Sequence, residues 1–161
     1  MTIAAGDKLP DATLTQVGAN GPEQVALADR LKGRKVVIFG LPGAYTGTCT
    51  SAHVPSFMRV RGKLAEKGVD EVICVSVNDA FVMKAWGEAT GAAAAGITML
   101  GDADSSFTKA IGMAFSAPAI GFFDRSKRYS LLAEDGVVTR FNPEAGPGCE
   151  ISAGEHLLSQ I

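Results

Sequence analysis

Short continuous apolar runs alternate along this chain with segments whose apolar residues recur at helical spacing. Val36-Val37-Ile38-Phe39 and Val72-Ile73-Cys74-Val75-Ser76-Val77 show almost no polar alternation. A strand covered on both faces reads this way, so both are expected to be buried. From Thr50 to Lys67, Val54, Phe57, Val60 or Arg61, and Leu64 give a helical stripe with one slip of register. Pro55 falls in or near its first turn and would kink the helix if it lay deeper. Asp79 is placed to cap a second helix running through Val82, Met83, Ala85 and Trp86.

Two hairpins are expected: Leu14–Val17 with Gln24–Leu27, and, more clearly, Tyr129–Ala133 with Val137–Phe141 across Glu134-Asp135-Gly136. Ile97–Leu100 predicts a strand, Ser105–Ile111 a short helix, and Leu157-Leu158 a closing helix. Ala92–Ala95 is a small low-complexity patch, and Pro143–Cys149 a loop rich in Gly and Pro. The alternation predicts an α/β fold, a central mixed β-sheet flanked by helices. With no internal repeat or linker, one domain over residues 1–161 is expected.

Composition narrows the function classes. A formal net charge of −2 offers no basic footprint for nucleic acid. No apolar run approaches the length of a bilayer span. Met1–Lys8 lacks a basic stretch leading an apolar core, so no signal peptide and a cytoplasmic location are expected. Three cysteines are an odd number, which argues for reduced thiols over a disulfide framework.

The chemistry concentrates in Pro42-Gly43-Ala44-Tyr45-Thr46-Gly47-Thr48-Cys49, directly after the first buried strand and before the helical stripe. A strand feeding a Gly-rich loop that opens a helix aims backbone N–H groups and the positive dipole end at one point. A lone cysteine stands there, poised to ionise, and the thiolate is the reactive form. Cys74, mid-strand between Ile73 and Val75, reads instead as a buried small hydrophobe. Competing motifs are weak. Gly43-x-x-x-Gly47-Thr48 lacks the lysine of a phosphate loop. Cys49-x-x-x-His53 has metal-clamp spacing but too few partners for a closed site. There is no Cys-x-x-Cys, and a cysteine hydrolase would need an oriented histidine, so His53 reads as a helix-face residue that tunes the site. No cofactor or metal is expected.

Pro42-x-x-x-Thr46-x-x-Cys49 resembles the active-site motif of the peroxiredoxins. Leu41–Thr46 and Val77–Trp86 are similar to the type II, peroxiredoxin-5-like branch, and Ser126–Ser130 resembles its arginine-bearing strand. The resemblance implies a thioredoxin-like fold and a thiol peroxidase acting on hydrogen peroxide and organic hydroperoxides. It implies Cys49 as the nucleophile, with Thr46, Pro42 and an arginine around it. Spacing alone leaves Arg125, Arg128 and Arg140 open; the resemblance picks Arg128.

Full ionisation of an ordinary thiol raises its reactive fraction only about 30-fold, roughly 2 kcal/mol. The remaining acceleration must come from groups that align the two oxygens and stabilise the leaving one. The Thr46 hydroxyl, the Cys49 N–H and a guanidinium can do this, while Pro42 screens the thiolate from water.

Gly47 occupies a slot usually held by proline, which predicts a less rigid loop. The resolving cysteine of animal members maps to about Ile151, two positions from Cys149, so a one-cysteine enzyme is expected. The implied reductant is glutathione with glutaredoxin, or thioredoxin. The resemblance also implies a homodimer, for which Tyr45, Phe81 and Phe122 are candidate contact residues. Two other readings are a peroxide sensor passing oxidation to a partner protein, and an inactive thioredoxin-like scaffold.

Overall fold

The two continuous apolar runs lie side by side at the centre of a seven-stranded sheet. The computed structural model describes residues Met1–Ile161. Its strands are β1 (Thr13–Gly18), β2 (Gly21–Ala26), β3 (Lys35–Leu41), β4 (Glu71–Ser76), β5 (Ile97–Gly101), β6 (Ala114–Ala117), β7 (Phe122–Ser126), β8 (Tyr129–Glu134) and β9 (Val137–Pro143). The helices are α1 (Leu27–Leu31), α2 (Val54–Glu66), α3 (Ala80–Thr90), α4 (Ser106–Ala110) and α5 (Gly154–Ser159). The main sheet has the order β2-β1-β5-β4-β3-β8-β9, and β6 and β7 form a separate ribbon.

The sheet is mixed. β3 pairs parallel with β4 and β4 with β5, whereas β3 meets β8 antiparallel, Val37 opposite Leu132. Successive side chains of a strand point to opposite faces, so the apolar runs feed two cores. Val36, Ile38, Ile73 and Val75 join Leu27, Phe107 and Ile111 on the face of α1 and α4. Val37, Phe39, Val72 and Cys74 join Phe57, Leu64, Trp86 and Leu157 on the face of α2, α3 and α5. Both faces of β3 and β4 are filled, as the absence of polar alternation requires.

Two local expectations change form. Leu27 does not extend the first hairpin but opens α1, because Leu27 and Leu31 share one helical face and are both buried. The expected helix is not regular from Thr50: Cys49–His53 form a π-turn, in which the Val54 N–H reaches the Cys49 carbonyl, and the stripe Val54, Phe57, Val60 and Leu64 then runs along α2 with Val60 as its buried member. Pro55 has no N–H and its ring crowds the carbonyl four residues back, so the preceding turn widens by one residue. The extra residue lets Cys49 and His53 both face the core before α2 resumes with Phe57, Val60 and Leu64. Asp79 caps α3 as expected, its carboxylate accepting from the Val82 N–H at 2.9 Å.

Gly40 in β3 carries the ring of Tyr129 directly above its Cα, where a Cβ would collide with the ring. Tyr129 precedes the rest of β8, and its hydroxyl is buried without a partner. Burial pushes that hydroxyl's pKa up.

Candidate active site

β3 ends at Leu41, and the next seven residues turn the chain into the π-turn that starts at Cys49. Hydrogen bonds from four directions fix this loop. The Thr46 hydroxyl donates to the Gly43 carbonyl at 2.7 Å. The Ala44 N–H donates to Asn78 Oδ1 at 3.0 Å, and the Ser76 hydroxyl donates to the same oxygen at 2.6 Å. Arg125 donates to the Pro42 carbonyl at 3.0 Å while its guanidinium lies 5.0 Å over the Phe122 ring. On the far side, Trp86 Nε1–H donates to Thr50 Oγ1 at 3.1 Å. The loop is therefore anchored by β4, α3 and the β6–β7 ribbon despite glycine at position 47.

Cys49 is fully buried. Arg128 Nη2 lies 3.4 Å from Cys49 Sγ, and Arg128 Nη1 lies 3.1 Å from His53 Nδ1. Arg128 is only 5% exposed, far from the usual surface position of arginine. His53 Nε2 lies 3.0 Å from the Ser152 carbonyl, which can only accept. That places the proton on Nε2 and leaves the Nδ1 lone pair for Arg128. Burial, reinforced by the Arg128 charge, pushes the His53 pKa down to about 3, so the ring is neutral and accepts. Of five guanidinium N–H bonds, two are occupied; Nε is buried without a protein acceptor. Donor capacity therefore remains beside the sulfur.

A pocket of about 570 Å³ opens above this cluster. Pro42, Thr46 and Arg128 line its floor, and Phe115, Ile120 and Phe122 of the β6–β7 ribbon form an apolar wall. The opposite wall is the 144–147 stretch. Pro42, Thr46, Cys49 and Arg128 are thus brought together. Arg128 lies in the two-residue link between β7 and β8, one position before the strand that the sequence assigned to it. The apolar residues divide differently from expectation. Phe122 is half-buried in the pocket wall, edge-on to Phe115, whereas Tyr45, Phe81, Ile120 and Phe123 are exposed.

Cys74 is fully buried in β4, and burial pushes its thiol pKa well above the usual value. Cys149 is half-buried, its sulfur 3.8 Å from the Ser152 hydroxyl, in a loop held more firmly than its Gly and Pro content suggested. Sequence reasoning weighed Arg125 only as an alternative to Arg128 and missed that it anchors the loop through the Pro42 carbonyl, a role that no motif signals. It also missed the depth of His53, which the four-residue spacing from Cys49 could have suggested.

The sequence matches the Redoxin family over residues 4–158. It is 46% identical to peroxiredoxin-2E-2 of Oryza sativa over 99% of this chain and 73% of that protein. It is 39% identical to peroxiredoxin-2B of Arabidopsis thaliana, over 99% and 98% of the two chains. This chain is a type II peroxiredoxin. Peroxiredoxins are thiol-dependent peroxidases, and the sheet with its flanking helices is their thioredoxin-like fold. The crystal structure of reduced Prx3 in complex with H2O2 from Vibrio vulnificus superposes with a TM-score of 0.94 at 45% identity, covering 99% of each chain. The Oryza relative is named as chloroplastic, so family membership by itself fixes no compartment for this peroxiredoxin. No helix is long and apolar enough to cross a membrane.

Proposed function

We propose that Cys49 is the peroxidatic nucleophile, with Thr46, Arg128 and Pro42 completing its site in a single domain. The observation that carries this is the guanidinium of Arg128, a residue that lines the pocket, 3.4 Å from the buried Cys49 Sγ. The Cys49 thiolate attacks the terminal oxygen of a hydroperoxide, an S–O bond forms, and the O–O bond breaks. Cys49 becomes a sulfenic acid while the other oxygen leaves as alkoxide or hydroxide and takes a proton. The Thr46 proton is committed to the Gly43 carbonyl, so its oxygen offers lone pairs to the O–H of the attacked oxygen. The free donors of Arg128 meet the charge growing on the leaving oxygen. Pro42 covers the site without adding an N–H.

An external thiol then condenses with the sulfenic acid, releasing water and forming a mixed disulfide. A second thiol restores Cys49. We take glutathione with glutaredoxin, or thioredoxin, as the source, in a reducing compartment such as the cytoplasm. Cys74 is locked mid-strand and Cys149 faces Ser152, which supports a one-cysteine cycle. The exposed Tyr45 and Phe81 beside the site support a homodimer through that edge.

Intact mass after one equivalent of peroxide, with and without glutathione, tests the reading. The expected products are a sulfenic acid alone and a glutathione adduct with the thiol, both at Cys49. Cys49→Ser should abolish turnover and Cys74→Ser should leave it nearly intact. Equal loss in two folded variants would overturn the assignment, and a dominant Cys49–Cys149 crosslink would end the one-cysteine cycle. A protein that stops after one equivalent of peroxide in excess glutathione would be a sensor.

A further inference from the structure

The 144–152 loop forms one wall of the pocket and is folded back on a single carboxylate oxygen. Glu144 Oε2 accepts from the Glu150 N–H at 2.7 Å, the Ser152 N–H at 2.9 Å and the Ser152 hydroxyl at 2.6 Å. The Glu144 N–H donates to the carbonyl of Arg128 itself at 2.9 Å. Ser152 is fully buried, and its carbonyl is the acceptor that fixes His53. A continuous path therefore runs from Glu144 through Ser152 and His53 to the Arg128 guanidinium and Cys49 Sγ.

We infer that Glu144 is a positioning residue for the peroxidase reaction, acting through Ser152 and His53 on Arg128. Only a carboxylate gathers three converging donors on one oxygen without also presenting a donor of its own. Partial burial pushes the Glu144 carboxyl up, but the Ser152 and Glu150 donors overcome this and leave it below the usual carboxylate range. It is therefore ionised at neutral pH. Without it, Ser152 is free to leave His53, the ring loses its fixed orientation, and the guanidinium loses the partner that turns Nη2 toward the sulfur. The peroxide then meets a cysteine whose cation is present but not aimed, which the need for in-line alignment makes costly. The same release frees Cys149, which sits inside the folded-back segment.

This inference rests on the role proposed for Arg128, and a mutant cycle separates the two. Single-turnover oxidation of Cys49 by hydrogen peroxide is measured in Glu144→Ala, Arg128→Met and the double variant. Glu144→Ala should slow oxidation about tenfold and speed iodoacetamide labelling of Cys149. Combined with Arg128→Met it should add no further loss. Glu144→Gln, which keeps an acceptor oxygen, should recover most of the rate; if the alanine variant does not fold, a two- to fivefold loss in Glu144→Gln that vanishes with Arg128→Met decides the matter. An equal Glu144 effect in both backgrounds overturns the inference alone. Unchanged Cys149 labelling or an unchanged rate in Glu144→Ala overturns it as well. If Arg128→Met by itself does not slow oxidation, the proposed site fails, and this inference fails with it.

Discussion

Arg128 brings two separable features to the proposed site, a positive charge beside Cys49 Sγ and aimed donors for the leaving oxygen. Arg128→Lys keeps the charge but loses the planar fork, and Arg128→Met loses both. Peroxide reactivity should fall at least tenfold in both variants. Alkylation by iodoacetamide, which needs a thiolate but no aimed donors, should fall far less in the lysine variant. A proportional fall in both reactions would leave Arg128 a purely electrostatic role. His53 supplies a second test, in acid. Its pKa is about 3 in the fold against 6.5 unfolded, so the unfolded chain binds the extra proton first. Stability should be complete above pH 6.5 and decline as the pH falls towards 3. Glu71 and Glu144, held below the usual carboxylate value, begin to contribute only below about 4.5. Between pH 6.5 and 4.5 the decline belongs to His53 and amounts to about 2 to 3 kcal/mol. Urea midpoints at the two pH values should show this slope in the native protein and its absence in His53→Gln. Of these residues, Thr46 and Cys49 were legible because they share one short loop with a motif. Arg128 was legible only by resemblance, since spacing does not report which of three arginines folds back onto the cysteine.

The secondary-structure elements were legible wherever a single face decides them. β3 and β4 announce themselves by uninterrupted apolar runs, and α3 by its capping aspartate. The π-turn was not legible: it precedes the apolar stripe that starts at Val54, and one extra residue shifts the register without changing composition. β6 and β7 escaped detection. Their ribbon is half-exposed and carries Pro118 and Gly121 at its tip, so neither strand shows a buried run. The pairing of β3 with β8 depends on Gly40, and here a single atom tests the packing. Gly40→Ala sets a methyl group against the Tyr129 ring between two paired strands. It should cost about 2 to 3 kcal/mol, as overpacking does, lowering the melting temperature by roughly 5 to 10 °C. An unchanged melting temperature would mean that the ring moves aside freely.

At the scale of the whole molecule, the exposed aromatic residues are the feature that a lone chain does not explain. Phe81 is 63% and Tyr45 56% exposed, Tyr45 with its ring 6.4 Å from that of Trp86. Sedimentation at micromolar concentration should give a dimer, and Phe81→Asp should shift it towards monomer. A monomer in both redox states would remove the proposed interface. The sheet order has a further consequence, for synthesis. β3 is complete early, but its second neighbour β8 and the guanidinium beside Cys49 lie 79 residues or more downstream of that cysteine. Domains assemble as the ribosome releases them, N-terminal segments first. A nascent chain halted before residue 128 thus carries its cysteine with neither the cation nor the strand that buries it. On the proposed roles of Cys49 and Arg128, the site is complete only when the last fifth of the chain has arrived.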